Sequence, residues 1–172
     1  MPKANLETPE QQLASFLEKY SPEIASAAVT IRAKMRKLYP TALELVYDNY
    51  NALVIGYEAT ERASEFIFSI AIYPKWVNLF FAHGAGLPDP QRLLKGSGTA
   101  IRHIRLDSPS LLDDPTVRTL MEEAVSRAAV PFDPTGMHRV IIKSISAKQR
   151  PRRADQSAEK HATTKKKISL KP

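Results

Sequence analysis

The chain has 172 residues, 43% of them apolar, which is enough for one domain with a real core and an appendage. It has no cysteine, which excludes disulfides, thiolate metal sites and cysteine nucleophiles. The net charge of +7 is unevenly placed: residues 147–172 carry nine Lys or Arg against two acids, so the first 146 residues balance and any general pull on polyanions belongs to the C-terminal segment.

The opening stretch MPKANLETPEQQ lacks the apolar run of a secretory leader, and no later run reaches the roughly 18 residues of a membrane span. The chain therefore reads as cytoplasmic, with no membrane partner. Leu13, Phe16, Leu17 and Tyr20 recur at helical spacing, predicting a short amphipathic helix over 9–20. Ser21-Pro22-Glu23 then supplies an N-cap, a proline at the first helical position and an early acid. Ile24, Ala28, Ile31, Met35 and Leu38 form the buried stripe of a second helix that ends before Pro40. Its other faces are basic, with Arg32, Lys34, Arg36 and Lys37.

After Pro40 the hydrophobic period changes to two. Leu43, Leu45 and Tyr47 share one side of a strand, as do Leu53, Ile55 and Tyr57 of the next, and Asp48-Asn49-Tyr50-Asn51 suits the turn between them. Phe66, Phe68, Ile70 and Ile72 alternate in a third strand, Pro74-Lys75 turns, and Val77, Leu79 and Phe81 make a fourth. Short links between successive strands predict an antiparallel meander. Residues 82–100 form a long connection with four of the six glycines, in which Asp89-Pro90 could open one helical turn through Leu94. A fifth strand is expected over 99–106 and a last helix from Asp114-Pro115, with Val117, Leu120, Met121 and Ala124 on its apolar face. Val140-Ile141-Ile142 reads either as a sixth, edge strand or as a strap. From Ala147 the composition turns to Lys, Arg, Ser, Thr, Gln and Pro, the signature of a disordered tail. The expected architecture is α+β: two N-terminal helices, an antiparallel sheet of about five strands and a closing helix packed on one sheet face, as a domain over 1–146 followed by a tail over 147–172.

The helix pair ending in Leu38-Tyr39-Pro40, the segments 44–50, 68–75 and 77–81, and Leu94-Lys95-Gly96-Ser97-Gly98 leading into Ile101-Arg102-His103-Ile104 resemble, in order and spacing, the YdhG-like domains of unknown function. The resemblance covers roughly residues 10–130. It implies a fold in the class of frataxin and CyaY, and by fold analogy alone an alternative role in handling iron. Frataxin-like iron binding uses an acidic ridge on the first helix, whereas here the long helix is basic. No metal or cofactor is expected.

Three groups of residues could carry chemistry. The glycine-rich connection and the strand after it gather His83, Gly84, Gly86, Arg92, Lys95, Gly96, Ser97, Gly98, Thr99, Arg102 and His103. There glycine lets backbone N–H groups approach a ligand and the cations supply charge, so a small anion or a partner segment could be held without catalysis. Residues 95–99 are not a phosphate loop, because GxxxxGK[ST] is missing and a strand follows where a helix is needed. Tyr47, Asp48, Asn49 and Tyr50 could line a pocket, and an enzyme would draw its acid or base from Tyr47, Asp48 or His83. The four histidines include no i,i+4 pair, so no zinc motif is present. Trp76, beside Lys75, would stack on a ligand ring if exposed and join the core if buried. Asp113 and Asp114 read as caps of the last helix. In the tail, Arg150-Pro151-Arg152-Arg153 and Lys165-Lys166-Lys167 suit weak, salt-sensitive association with nucleic acid.

Overall fold

A computed structural model describes residues 7–153. Thr8 opens α1 (Pro9–Glu18) with a capping box, its hydroxyl accepting from the Gln11 N–H while the Gln11 side chain accepts from the Thr8 N–H. The Ser21 hydroxyl accepts from the Ile24 N–H to start α2 (Pro22–Leu38), and the Asp114 carboxylate accepts from Thr116 and Val117 to start α3 (Pro115–Ser126). In each helix a proline occupies the first turn, where its missing N–H would have had no partner.

Five strands form the expected meander: β1 (Leu43–Asp48), β2 (Leu53–Glu58), β3 (Phe66–Ile72), β4 (Val77–Phe81) and β5 (Arg102–Arg105), each antiparallel to the last. A sixth strand, β6 (Val140–Ile145), lies parallel to β1 on its free edge, giving the order β5-β4-β3-β2-β1-β6. The sheet is thus six-stranded and mixed, which corrects the expectation of about five antiparallel strands closed by a helix. After α3 the chain runs through 127–139 to the opposite edge of the sheet, as a parallel pairing requires. The Asp89-Pro90 segment also differs from its expected helical turn: the Asp89 carboxylate accepts from the Leu93 and Leu94 N–H groups and holds a loop.

Side chains from α1, α2 and α3 share one core with one face of the sheet. Leu13, Phe16, Ile31, Met35, Val117 and Leu120 meet Val46, Ile55, Phe68, Ile70, Leu79 and Ile104. β1 turns its more polar face to the helices. In register, Glu44, Val46 and Asp48 stand beside Tyr57, Ile55 and Leu53, which places Leu43, Leu45 and Tyr47 on the other face. The arrangement holds because the helix layer brings cations to both fully buried acids: Arg32 bonds to Glu44 through Nε at 3.0 Å, and Lys19 Nζ reaches Asp48 Oδ2 at 2.6 Å.

The start of the basic segment belongs to this body. Arg152 is 1% exposed, its Nη2 is 3.1 Å from Asp48 Oδ1, and it also donates to the carbonyls of Asn49 and Tyr50. Gln149 donates to the Asp48 carbonyl and Arg153 to the Glu18 and Lys19 carbonyls at the end of α1. Residues 149–153 therefore pack on the domain, correcting a boundary at 146. Composition misassigned them because an arginine buried on a carboxylate has the same composition as a solvated one. Lys165-Lys166-Lys167 lie outside the described residues.

Candidate functional site

The glycine-rich connection is braced from within. Gly84 lies so close to β5 that a Cβ there would sit 2.5 Å from Arg102 Cβ. Lys95 and His103 exchange two backbone hydrogen bonds of 2.8 and 2.9 Å, and Gly96 allows the turn that follows by adopting φ 120°. The cations expected to face an anion are turned to the loop itself. Lys95 Nζ donates to the Arg92 carbonyl, and Arg102 Nη1 donates to the carbonyls of Gly98 and Ile101. The His103 ring packs on Phe80 at 5.1 Å between centroids, and burial lowers its pKa. Ser97 and Gly98 are exposed.

At the beginning of the same connection a pocket of about 190 Å³ opens between the start of β3, residues 82–87 and the end of α3. Its apolar lining includes Ile67, Ala82 and Leu87, all buried, with Phe66, Ala124 and Ala128. Glu65, His83 and Arg127 are its ionisable lining residues. Arg127 ties the two sides together, with Nε 3.0 Å from Glu123 Oε2 and Nη1 donating to the Gly86 carbonyl at 2.9 Å. Glu65 accepts from the Thr60 hydroxyl and pairs with Arg62. Of the sequence candidates, His83 and Gly86 line this pocket, whereas Lys95, Gly96, Ser97, Gly98, Arg102 and His103 do not. Arg127 was missed, since its only local role is a last-turn partner for Glu123.

Tyr47, Asp48 and His83 do not assemble. Asp48 faces the helices between Lys19 and Arg152, while Tyr47 faces the opposite side of the sheet. His83 follows β4, at the far end of the sheet from the β1–β2 turn. Asn49 serves that turn, its N–H donating to the Ala52 carbonyl and its own carbonyl accepting from Arg152. On the side of Tyr47, Glu58 is 1% exposed and lies over Gly56, where a Cβ would stand 2.6 Å from Glu58 Oε1. Burial pushes the Glu58 carboxyl up to about 7, with Lys143 opposing and Glu65 reinforcing the shift. Burial, and then the Glu58 charge, raise the Tyr47 phenol.

A second, larger cleft of about 740 Å³ lies at the turn end of the sheet. The start of α2 (Ser21, Glu23, Ile24), Asn51, the turn Pro74-Lys75-Trp76 and Arg150, Pro151 and Arg153 line it. Trp76 is 36% exposed and stacks on Tyr73 at 5.1 Å, with the Arg105 guanidinium 5.6 Å from its ring centre.

Among the described residues no group of three or more His, Asp or Glu side chains is arranged to hold a metal ion. Glu10 and Glu44 instead converge on Arg32, with His138 Nε2 3.0 Å from Glu44 Oε2. No described helix is long and apolar enough to cross a membrane. No family model matches the chain, and neither a curated protein nor a solved structure matches it.

Proposed function

We propose that this chain is a non-catalytic binding domain for a small organic monoanion with an apolar body, held where the glycine-rich connection meets the end of α3. The observation that carries the reading is the lining of the 190 Å³ pocket: buried aliphatic groups alongside Arg127 and His83. Pockets of this kind hold a ligand by apolar contact and orient it with a few polar groups. The bonds of Arg127 to Glu123 and Gly86 engage Nε and one Nη1, so the guanidinium retains donors for a carboxylate. Glu65 in the same lining disfavours a dianion. Binding fits better than catalysis, because the residues an acid–base reaction would use lie on different faces and ends of the sheet. The likeness to YdhG-like domains belongs to the same proposal, supported by the helix pair and the meander that follows it.

Thermal-shift measurements with benzoate, isobutyrate and the neutral analogue benzamide test the reading. A ligand at a hundred times its Kd adds about 2.7 kcal/mol, or about 5–10 °C for a domain of this size. Benzoate should stabilise the chain more than benzamide, and Ala128→Phe, which fills the pocket, should abolish the difference. Equal responses to benzoate and benzamide, or a benzoate response that survives Ala128→Phe, refute it.

A further inference from the structure

The cleft at the turn end of the sheet has a different chemistry from the pocket. The β1–β2 and β3–β4 turns lie side by side there, and the chain after β6 comes back across them. Arg150 Nη1 donates to the Asn51 side-chain oxygen, and Arg153 donates to the Lys19 and Glu18 carbonyls. These partners are neutral, so both guanidinium charges persist at the cleft, beside the exposed Lys75 and, among the described lining residues, against a single acid, Glu23. This is also where the basic segment, which holds the whole net charge of the chain, joins the body.

Two aromatic rings share this end. Among the described residues the large exposed hydrophobic side chains include two aromatics, Tyr50 at 52% and Trp76 at 36%, one in each turn. The Tyr50 carbonyl accepts from the Arg150 N–H and from Arg152 Nη1, so the buried strap fixes the backbone from which the ring projects. Trp76 is backed by Tyr73, and the Arg105 guanidinium near its ring is otherwise paired with Asp107 in an exposed ion pair. Such pairs contribute little, so Arg105 can move to a phosphate as a base takes its place on the indole.

Cations that track a backbone together with aromatic faces that accept any base are what single-stranded nucleic acid requires. An acidic peptide would use the charges and leave the rings idle. An anionic membrane would engage rings that project from a flat face, whereas Trp76 lines a cleft and is stacked on Tyr73. We propose that this cleft binds single-stranded nucleic acid, with phosphates on Lys75, Arg150 and Arg153 and bases on Trp76 and Tyr50.

Trp76 is the sole tryptophan, so its emission reports on the cleft directly. Full-length chain is titrated with fluorescein-labelled 15-mers of deoxythymidine and uridine, with a duplex of equal length, with polyglutamate and with phosphatidylserine vesicles. The single strands should bind most tightly and quench Trp76. Each phosphate contact contributes about −0.7 to the slope of log K against log salt, so Lys75→Ala with Arg150→Ala should flatten that slope by about 1.4. Trp76→Leu or Tyr50→Ala should weaken binding about fivefold to a hundredfold, with circular dichroism unchanged because both sites are exposed turn positions. Three results would each overturn the proposal. The first is single-strand binding that leaves Trp76 emission and the Lys75/Arg150 variant unchanged, which assigns the attraction to residues 154–172. The second is equal binding of polyglutamate or vesicles. The third is no binding of single strands.

Discussion

Arg152→Ala should destabilise the domain far more than a substitution in a basic tail would. The side chain is 1% exposed, contacts the fully buried Asp48 carboxylate at 3.1 Å, donates to two carbonyls of the β1–β2 turn and lies 5.5 Å from the Tyr20 ring centre. Truncating one partner of a buried pair leaves the other charge uncompensated, which costs about 3–5 kcal/mol. Lys19, 2.6 Å from Asp48 and about a third exposed, remains and limits the loss to the lower end, about 3 kcal/mol. At about 2–4 °C per kcal/mol this lowers Tm by about 6–12 °C. Urea denaturation of the full chain and the variant should show a lower midpoint with an unchanged m value. Arg152→Lys, which keeps the charge but not the planar fork, should fall between the two. A loss below about 1 kcal/mol, the scale of an exposed pair, would refute the packing of residues 149–153 on the domain.

Two further predictions concern the sheet. Glu58 has its carboxyl raised from 4.5 to about 7 in the folded state, so between those values the folded chain keeps a proton that the unfolded chain has released. Stability should therefore fall as pH rises through that window, by about 3 kcal/mol at most, and be level in this respect above it. Glu58→Gln should remove that part of the pH dependence, and a stability difference from the parent chain that stays constant from pH 4.5 to 7.5 would contradict the assignment. Gly84→Ala would place a methyl 2.5 Å from Arg102 Cβ and 3.0 Å from the Arg102 nitrogen. Overpacking against a strand should cost about 1–3 kcal/mol by urea denaturation and loosen residues 84–100 in hydrogen exchange. Unchanged exchange there would show that the connection does not depend on this contact.

Local chemistry carried much of the fold into the sequence. The caps at Ser21 and Asp114 and the alternation of β2, β3 and β4 are legible because each depends on neighbours within a few residues. What depends on distant partners was not. β6 pairs with β1, which precedes it by nearly a hundred residues, so Val140-Ile141-Ile142 alone could not distinguish a strand from a strap. Glu44 and Asp48 turn inward because Arg32, Lys19 and Arg152 meet them, and a hydrophobic count along β1 has no view of those cations. The site was half legible for the same reason. Glycine content pointed to the connection that borders the pocket, and His83 and Gly86 are in its lining, but Lys95 and Arg102 bond to their own loop. The pocket's arginine, Arg127, arrives from the end of a helix about forty residues later and bonds to the Gly86 carbonyl.

The most direct test of the proposed function is a nuclear magnetic resonance titration of the full chain, labelled with nitrogen-15, with benzoate. The account predicts saturable amide shifts at Ile67, His83, Gly86, Leu87 and the end of α3 around Arg127, with residues 95–98 little changed. Shifts centred on Lys95, Gly96, Ser97 and Gly98, or no saturable shifts anywhere, would contradict it.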